Sequence, residues 1–355
     1  MKGLYIHIPF CERKCLYCDF PSYAGCLSET DRYIDAVIAE SAKYEGYAPD
    51  TVFIGGGTPS VLPKGKLKKL ISGIRRHIDF NHVTEFSSEA NPNSFDAQTA
   101  EEFAETGINR LSLGLQAAEP HLLKRIGRLH SAEDFTNAVN HALSAGITNI
   151  NADLMYSLPD QTLSDVDHTL DFVLSHPLTH ISAYALKLEE GTPLFADNPP
   201  LPDEDTDREM FRMICCRLAE SGFHRYEISN FAKDGLECRH NLIYWHVEPY
   251  IGLGAGAHSC DRGMRFSNPR TIEAYIAGEQ GENEPAEPEF EKIMLGTRLT
   301  EGIDISLLPD TAKMRSFLDL MEKNGLCELR NERFRLTDRG MDIQNEILTE
   351  LFTRI

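Results

Sequence analysis

Short apolar runs alternate with longer amphipathic segments along the first half of the chain, and this alternation predicts strands and helices in turn. Apolar residues fill every second position from Leu4 to Ile8, which predicts a buried strand that stops at Pro9. Apolar runs predict five further strands, at residues 51–54, 83–88, 110–115, 149–154 and 180–186. Helical spacing of apolar residues predicts five helices between them, at residues 29–44, 67–76, 97–105, 134–145 and 165–175.

Six strands that alternate with five helices predict an α/β fold with a parallel sheet, because parallel neighbours require a crossover connection. The pattern shows no swap in order, so the simplest closure is a partial (β/α)6 barrel within residues 1–205. An open doubly wound sheet is the alternative. The proline-rich acidic stretch at residues 197–205 marks the end of the repeat.

The remainder of the chain follows a different pattern. A helix is predicted at residues 206–221, within a segment 206–278 that we expect to complete the barrel. Residues 278–289 are acidic and predict a linker. Within residues 279–355, helices at 290–299, 313–323 and 338–351 and a hairpin at 326–336 that turns at Asn331 and Glu332 predict a small winged-helix-like domain.

Composition and charge restrict the partners. The 355 residues include 35 basic and 55 acidic side chains, a formal net charge of −20, which repels nucleic acid. Nine cysteines in irregular positions do not resemble a disulfide framework and favour a reducing cytoplasm. No apolar run approaches the roughly 18 residues of a membrane span, and we expect no signal peptide. Peripheral membrane association and oligomeric state are left open.

Three cysteines lie on the loop just beyond the first strand. Cys11, Cys15 and Cys18 have the spacing C-x3-C-x2-C. Soft thiolates select zinc or an iron-sulfur cluster, and a cubane cluster held by three thiolates would leave one iron open to another ligand. The alternative is a structural zinc site completed by His7. Cys26, eight residues further on, is interpreted as a bystander.

This loop, together with the Y-x-H-x-P-F strand before it, resembles the cluster loop of radical S-adenosylmethionine (SAM) proteins. The resemblance is to the branch that contains oxygen-independent coproporphyrinogen III oxidase and a related haem chaperone. It implies that Cys11, Cys15 and Cys18 bind a 4Fe-4S cluster. It also implies that SAM chelates the open iron through its amino and carboxylate groups.

Polar or glycine residues follow several predicted strands, at the edge where a barrel of this kind has its reactive face. A glycine triplet, residues 55–57, permits close backbone approach to a ligand. The alternative is that such residues only form turns or caps. By the resemblance, the SAM contacts fall on Tyr5, Gly57, Thr58, Glu89, Gln116, Arg128 and Asp153, with Tyr17 and Ala185 nearby.

A second informative segment, residues 226–260, combines imidazoles, aromatic residues and a glycine-rich loop at residues 252–256. Such a mixture suits a flat apolar cofactor that contains iron, although, taken alone, aromatic residues and histidines at this spacing are more often core and surface residues. The sequence H-N-x-x-Y-W is similar to a motif typical of the haem chaperone branch, which implies haem contacts at His240, Asn241, Tyr244 and Trp245. The Cys238-Arg239-His240 sequence does not match c-type haem attachment, and any covalent link stays open.

The oxidase motif of this branch continues to C-x3-C-x2-C-x-C, but Phe20 stands here at the last cysteine position. This departure favours a haem chaperone, which binds haem and transfers it to an acceptor protein. The alternatives are oxidative decarboxylation of coproporphyrinogen and a zinc-held interaction protein. Whether SAM is cleaved, and which protein accepts haem, are left open.

Overall fold

The computed structural model describes residues 1–354 and confirms the predicted partial barrel. Six parallel strands follow one another in chain order across the sheet. Their bounds are β1 Gly3–Ile8, β2 Thr51–Gly56, β3 Glu85–Ala90, β4 Arg110–Gln116, β5 Asn149–Tyr156 and β6 His180–Ala185. Because the order never reverses, the doubly wound alternative is wrong.

Five helices connect these strands and cover the outside of the sheet. They are α1 Thr30–Ser41, α2 Lys66–Ile74, α3 Ala97–Glu105, α4 Ala132–Ser144 and α5 Leu163–Leu174, and a short helix Pro120–Arg125 precedes α4. Reciprocal capping by Ser131 with Asp134, and by Thr162 with Asp165, fixes where α4 and α5 begin. All seven residues of β4 are buried, as expected for a parallel strand covered on both faces.

The segment after residue 205 extends the sheet at both edges and leaves the barrel open. On one edge, β8 Asn230–Ala232 pairs antiparallel with β6, and β7 His224–Arg225 pairs antiparallel with β8 at the outside of the sheet. On the other edge, β9 Tyr250–Leu253 pairs in parallel with β1. The antiparallel strands β10 His258–Asp261, β11 Met264–Ser267 and β12 Asn283–Pro285 follow it. The predicted linker is therefore partly a strand, since residues 283–285 hydrogen-bond to the exposed edge of β11.

Three helices accompany these strands: α6 Glu204–Glu220, α7 Arg239–Trp245 and α8 Ile272–Ile276.

The C-terminal domain has its own apolar core. Its elements are α9 Pro288–Gly296, β13 Ile303–Asp304, α10 Ala312–Lys323, β14 Cys327–Arg330, β15 Arg333–Leu336, α11 Asp338–Met341 and α12 Gln344–Phe352. The hairpin turns at Asn331 and Glu332, as predicted, and both residues have a positive φ. The predicted last helix is broken into α11 and α12. In the described part of the chain, no helix is both long and apolar enough to cross a membrane.

Candidate functional site

The carboxyl ends of the parallel strands surround a cavity of about 370 Å³, here called the thiol cavity. Its wall includes the three cysteines of the loop after β1 and polar residues from β3, β4 and β5. Its lining comprises Cys11, Arg13, Cys15, Tyr17, Cys18, Phe20, Ser22, Gly56, Gly57, Thr58, Glu89, Ala90, Asn91, Ser112, Gly114, Gln116, Arg128, Asp153, Met155 and Tyr184.

The three thiols are free and have polar neighbours at this cavity. Cys11 lies in a two-residue strand that pairs with Tyr23–Ala24, and the Thr58 hydroxyl is 3.6 Å from its sulfur. An Arg128 Nη1 lies 3.5 Å from the sulfur of Cys15. Burial raises the pKa of the Cys11 and Cys18 thiols. These buried groups therefore need a cationic partner, such as iron, to become thiolates at neutral pH.

The arrangement fits a cluster better than a single zinc ion. Within residues 1–354 no three His, Cys, Asp or Glu side chains converge on one ion position. A cubane takes one thiolate per iron, so its ligands surround the cluster rather than one point. His7 is not available as a fourth zinc ligand, because its ring nitrogens bond the Tyr5 hydroxyl and the Pro21 carbonyl, each at 3.0 Å.

The glycine triplet after β2 forms one wall by close backbone packing. The Gly57 amide donates to the carbonyl of Ile8 at 2.7 Å. A Cβ at Gly57 would lie 2.6 Å from the carbonyl oxygen of Phe10, so a larger residue would displace the cysteine loop. Gly56 has φ +111°, and its amide donates to Glu89 at 3.0 Å. The triplet therefore joins the cysteine loop to the acidic side of the cavity.

Two carboxyl groups, Glu89 and Asp153, face this cavity. Burial and the nearby Asp153 raise the pKa of Glu89 to about 7, against the opposing Gly56 hydrogen bond. Burial also raises the pKa of Asp153, although hydrogen bonds from Ser112 at 2.9 Å and Asn151 at 2.9 Å favour its charged form. Such a pair suits ammonium or hydroxyl groups of a ligand, which would compensate the buried charge.

Two further polar side chains that line the thiol cavity each have a buried atom without a hydrogen-bond partner among the described residues. Gln116 has φ +64° and a buried Oε1 without a hydrogen-bond partner among the described residues. Arg128 donates to Asn91 and to the Gly114 carbonyl at 2.7 and 2.6 Å, yet its buried Nε has no partner in the same part of the chain. Arg128 is thus part of the cavity and not a solvated helix charge. Unpaired buried polar atoms are costly, so these two atoms fit a polar ligand in the thiol cavity.

The structure brings most, but not all, of the predicted SAM residues together. Tyr17, Gly57, Thr58, Glu89, Gln116, Arg128 and Asp153 line the thiol cavity. Tyr5 instead lines a neighbouring cavity, and Ala185, at the end of β6, lines a third. Asn91, Ser112 and Met155 line the site without having been predicted. Asn91 could have been predicted, because it is a polar residue two positions after Glu89 at the end of the same strand. Ser112 could not, because it resembles an ordinary strand residue.

The predicted haem contact at His240 needs correction. Its side chain is fully buried, with one ring nitrogen 2.7 Å from the Thr51 hydroxyl and the other 2.9 Å from the Tyr244 hydroxyl. Burial, with the charge of Arg110, lowers its pKa to about 3. Both nitrogens are therefore used inside the core, and His240 offers none to haem iron. The helix-capping contacts to Glu85, from the amides of Arg239 and His240, hold α7 in this position.

The other three residues of the motif have different surroundings. Tyr244 lines the neighbouring cavity. Trp245 packs beneath the guanidinium of Arg298, 4.4 Å from its ring centre, and contacts the C-terminal domain in this way. Asn241 lines neither the thiol cavity nor its neighbour.

Comparisons with known proteins agree with this geometry. Residues 5–173 match the model of the radical SAM superfamily, and residues 284–343 match the HemN C-terminal domain. Coproporphyrinogen III oxidase (HemN) from Escherichia coli has the same fold, with a TM-score of 0.86 at 22% identity over 100% of this chain and 90% of that one.

The fold and the family match thus define a radical SAM protein. The heme chaperone HemW of Bacillus subtilis is 37% identical over 98% of both chains. That of Synechocystis is 35% identical over 99% of this chain and 96% of its own, and that of Escherichia coli 36% over 84% and 83%. The chain belongs to the heme chaperone HemW family.

Proposed function

We propose that this protein binds haem and transfers it to an acceptor protein, and that it carries a 4Fe-4S cluster and SAM. The observation that carries the proposal is the similarity, over 98% of the chain, to a protein named as a heme chaperone. The nine free cysteines support action in a reducing compartment such as the cytoplasm.

Cys11, Cys15 and Cys18 hold the cluster in this proposal. Three thiols around one cavity, without a fourth, support it. When bound, the cluster supplies an open iron for the amino and carboxylate groups of SAM. The loop would enclose the group, and the amides of Gly57 and Thr58, which donate to the carbonyls of Ile8 and Phe10, fix the start of this loop to the end of β2.

Glu89, Gln116, Arg128 and Asp153 bind SAM in this proposal, and Tyr17 lies nearby. The support is chemical. Arg128 is a cation suited to a carboxylate, and Glu89 with Asp153 suits an ammonium group or ribose hydroxyls. The unpaired Gln116 oxygen can accept a hydrogen bond. A contact from Tyr5 is less well supported, because this residue lies in the neighbouring cavity.

Phe20 disfavours the oxidase alternative. Its side chain is 60% exposed and lines the thiol cavity at the position where the oxidase motif has a further cysteine. A phenyl ring can neither bind iron nor exchange a proton with a substrate. It does present an apolar face suited to a porphyrin.

An anaerobic comparison tests the proposal. The reconstituted protein is titrated with haem, followed by Soret absorbance, and is assayed in parallel with coproporphyrinogen, SAM and a reductant. We expect saturable haem binding and no turnover. Repeated formation of protoporphyrinogen by one protein molecule would overturn the proposal, as would the absence of haem binding.

A further inference from the structure

A second cavity, of about 510 Å³, lies directly beside the thiol cavity and shares Phe20, Gly56 and Glu89 with it. We call it the aromatic cavity, because Tyr5, Tyr244 and Tyr250 join Phe20 in its lining. Its volume is within the range of roughly 300–1,000 Å³ typical of cofactor sites. Flat aromatic faces beside an exposed phenyl ring suit a porphyrin.

One imidazole in the aromatic cavity is available to a metal. His7 and His258 are its only histidines, and both ring nitrogens of His7 are already bonded. His258 begins β10 with an exposed side chain, and its imidazole makes no hydrogen bond or ion pair within residues 1–354. Histidine imidazole is a common protein ligand of haem iron.

The glycine-rich loop before β10 explains how His258 reaches this position. The loop amides are used internally: Gly254 donates to Glu40 at 3.0 Å and Ala255 to the Tyr33 hydroxyl at 2.9 Å. Gly256 has φ +71°, and a Cβ there would lie 2.8 Å from the ring of Pro21. The loop is therefore a tight turn packed on the cysteine loop, and it delivers His258 to the cavity edge.

The charges of the aromatic cavity suit an acidic porphyrin on one side only. Arg270 is its only Arg or Lys residue, is exposed, and forms no ion pair in the described part of the chain. Asp19 and Glu89 are the acidic residues of its lining. A propionate would therefore be attracted to the Arg270 side, with the guanidinium as its partner.

The H-N-x-x-Y-W motif acquires a role in this arrangement. His240 bonds the Tyr244 hydroxyl at 2.9 Å and is itself anchored to Thr51 on β2. Tyr244 in turn packs edge-on against Tyr250, with ring centres 4.7 Å apart. His240 is thus a positioning residue, which holds an aromatic wall rather than touching the ligand.

We propose that haem binds in the aromatic cavity, with His258 as a ligand of its iron and Arg270 as the partner of a propionate. This inference rests on the proposed haem chaperone function. It places the haem beside the site proposed for the cluster and SAM. The two cavities meet at Phe20 and Glu89, so occupancy of one can influence the other.

Haem titration of the full-length, cluster-reconstituted protein tests the assignment, with Soret absorbance and resonance Raman spectra as readouts. In His258→Ala we expect the spectrum of the imidazole-ligated iron to be lost and the affinity to fall at least about 10-fold, because even removal of a residue that only supports a metal ligand costs that much. In Arg270→Gln we expect the wild-type ligation spectrum and a fall in affinity of about two- to fivefold, typical of one exposed ion pair. His82→Ala, an exposed histidine on the loop before β3, is the matched control and should bind as the wild type.

Iron content and circular dichroism of each variant establish that fold and cluster are intact. Wild-type affinity and spectrum in His258→Ala, with haem bound by the wild-type protein, would overturn the site and leave the chaperone function standing. Failure of the wild-type protein itself to bind haem would overturn both.

Discussion

Burial of Glu89 in the thiol cavity makes the free energy of unfolding of the protein depend on pH. The pKa of this carboxyl group is about 7 in the folded chain, against the ordinary value of 4.5 for a solvated glutamate. Because the folded state holds the proton more tightly, stability is lost as pH rises from the unfolded value through the folded one. Ionisation of the buried carboxyl group lowers the free energy of unfolding by about 3 kcal/mol above pH 7. This follows because a pKa difference of one between the folded and unfolded states corresponds to about 1.36 kcal/mol.

The change in stability should be visible in the protein without cofactors, as a difference between Glu89→Gln and wild type. The sequence pI of 5.1 makes pH 6 a sensible lower limit. At pH 6 about 2 kcal/mol of the cost is already present, so the advantage of the Gln variant should grow by about 1 kcal/mol between pH 6 and pH 8. Comparing variant with wild type cancels the titration of other groups. The Gln side chain can still accept the hydrogen bond from Gly56.

Urea unfolding at the two pH values measures this difference. Glu101→Gln, which replaces an exposed carboxyl group on α3, serves as the control. Its difference in free energy of unfolding from the wild type should be the same at the two pH values. A difference between Glu89→Gln and wild type that is the same at pH 6 and pH 8 would refute the reasoning. It would mean that Glu89 is solvated in the free protein.

Three other substitutions test separate parts of the account. Cys15→Ala should abolish the broad visible absorption of the reconstituted cluster, whereas Cys26→Ala should retain it; one zinc per chain and no iron would contradict the cluster. Gly57→Ala should weaken the perturbation that SAM causes in the EPR signal of the reduced cluster, because its Cβ has no room beside the Phe10 carbonyl; an unchanged SAM titration would count against this packing. His240→Ala removes two buried hydrogen bonds and should lower the free energy of unfolding by about 2–5 kcal/mol, while any haem that binds keeps its wild-type ligation spectrum; a changed spectrum would restore His240 as a ligand.

Local patterns were sufficient to predict the repeat. The apolar runs of β1 to β6 and the amphipathic spacing of the helices are set by neighbouring residues, and the helix at residues 97–105 was predicted to the residue. The cysteine loop could also be found, because its three thiols lie within eight residues. The predicted strand at 83–88 is shifted in the structure to Glu85–Ala90, which places Glu89 inside β3 rather than after it.

Long-range packing could not be predicted in the same way. The strand β9 pairs with β1 although nearly 250 residues separate them. Its last two residues belong to the glycine-rich stretch that was predicted as a loop. The partners of His240 are a hydroxyl 189 residues away and another on its own helix, so its motif alone could not distinguish an iron ligand from a core residue. His258 was visible as one histidine among several, and only the tertiary fold places it beside Tyr5 and Phe20.

Haem hand-off tests the central claim most directly. Anaerobic, reconstituted protein is loaded with one equivalent of haem and mixed with an excess of an apo-haemoprotein, and the Soret band of the acceptor is followed in time. The account predicts that the acceptor takes up one haem for each donor molecule and that the donor can then be loaded with haem again. Haem that stays on the donor while the acceptor still takes up free haem would contradict it.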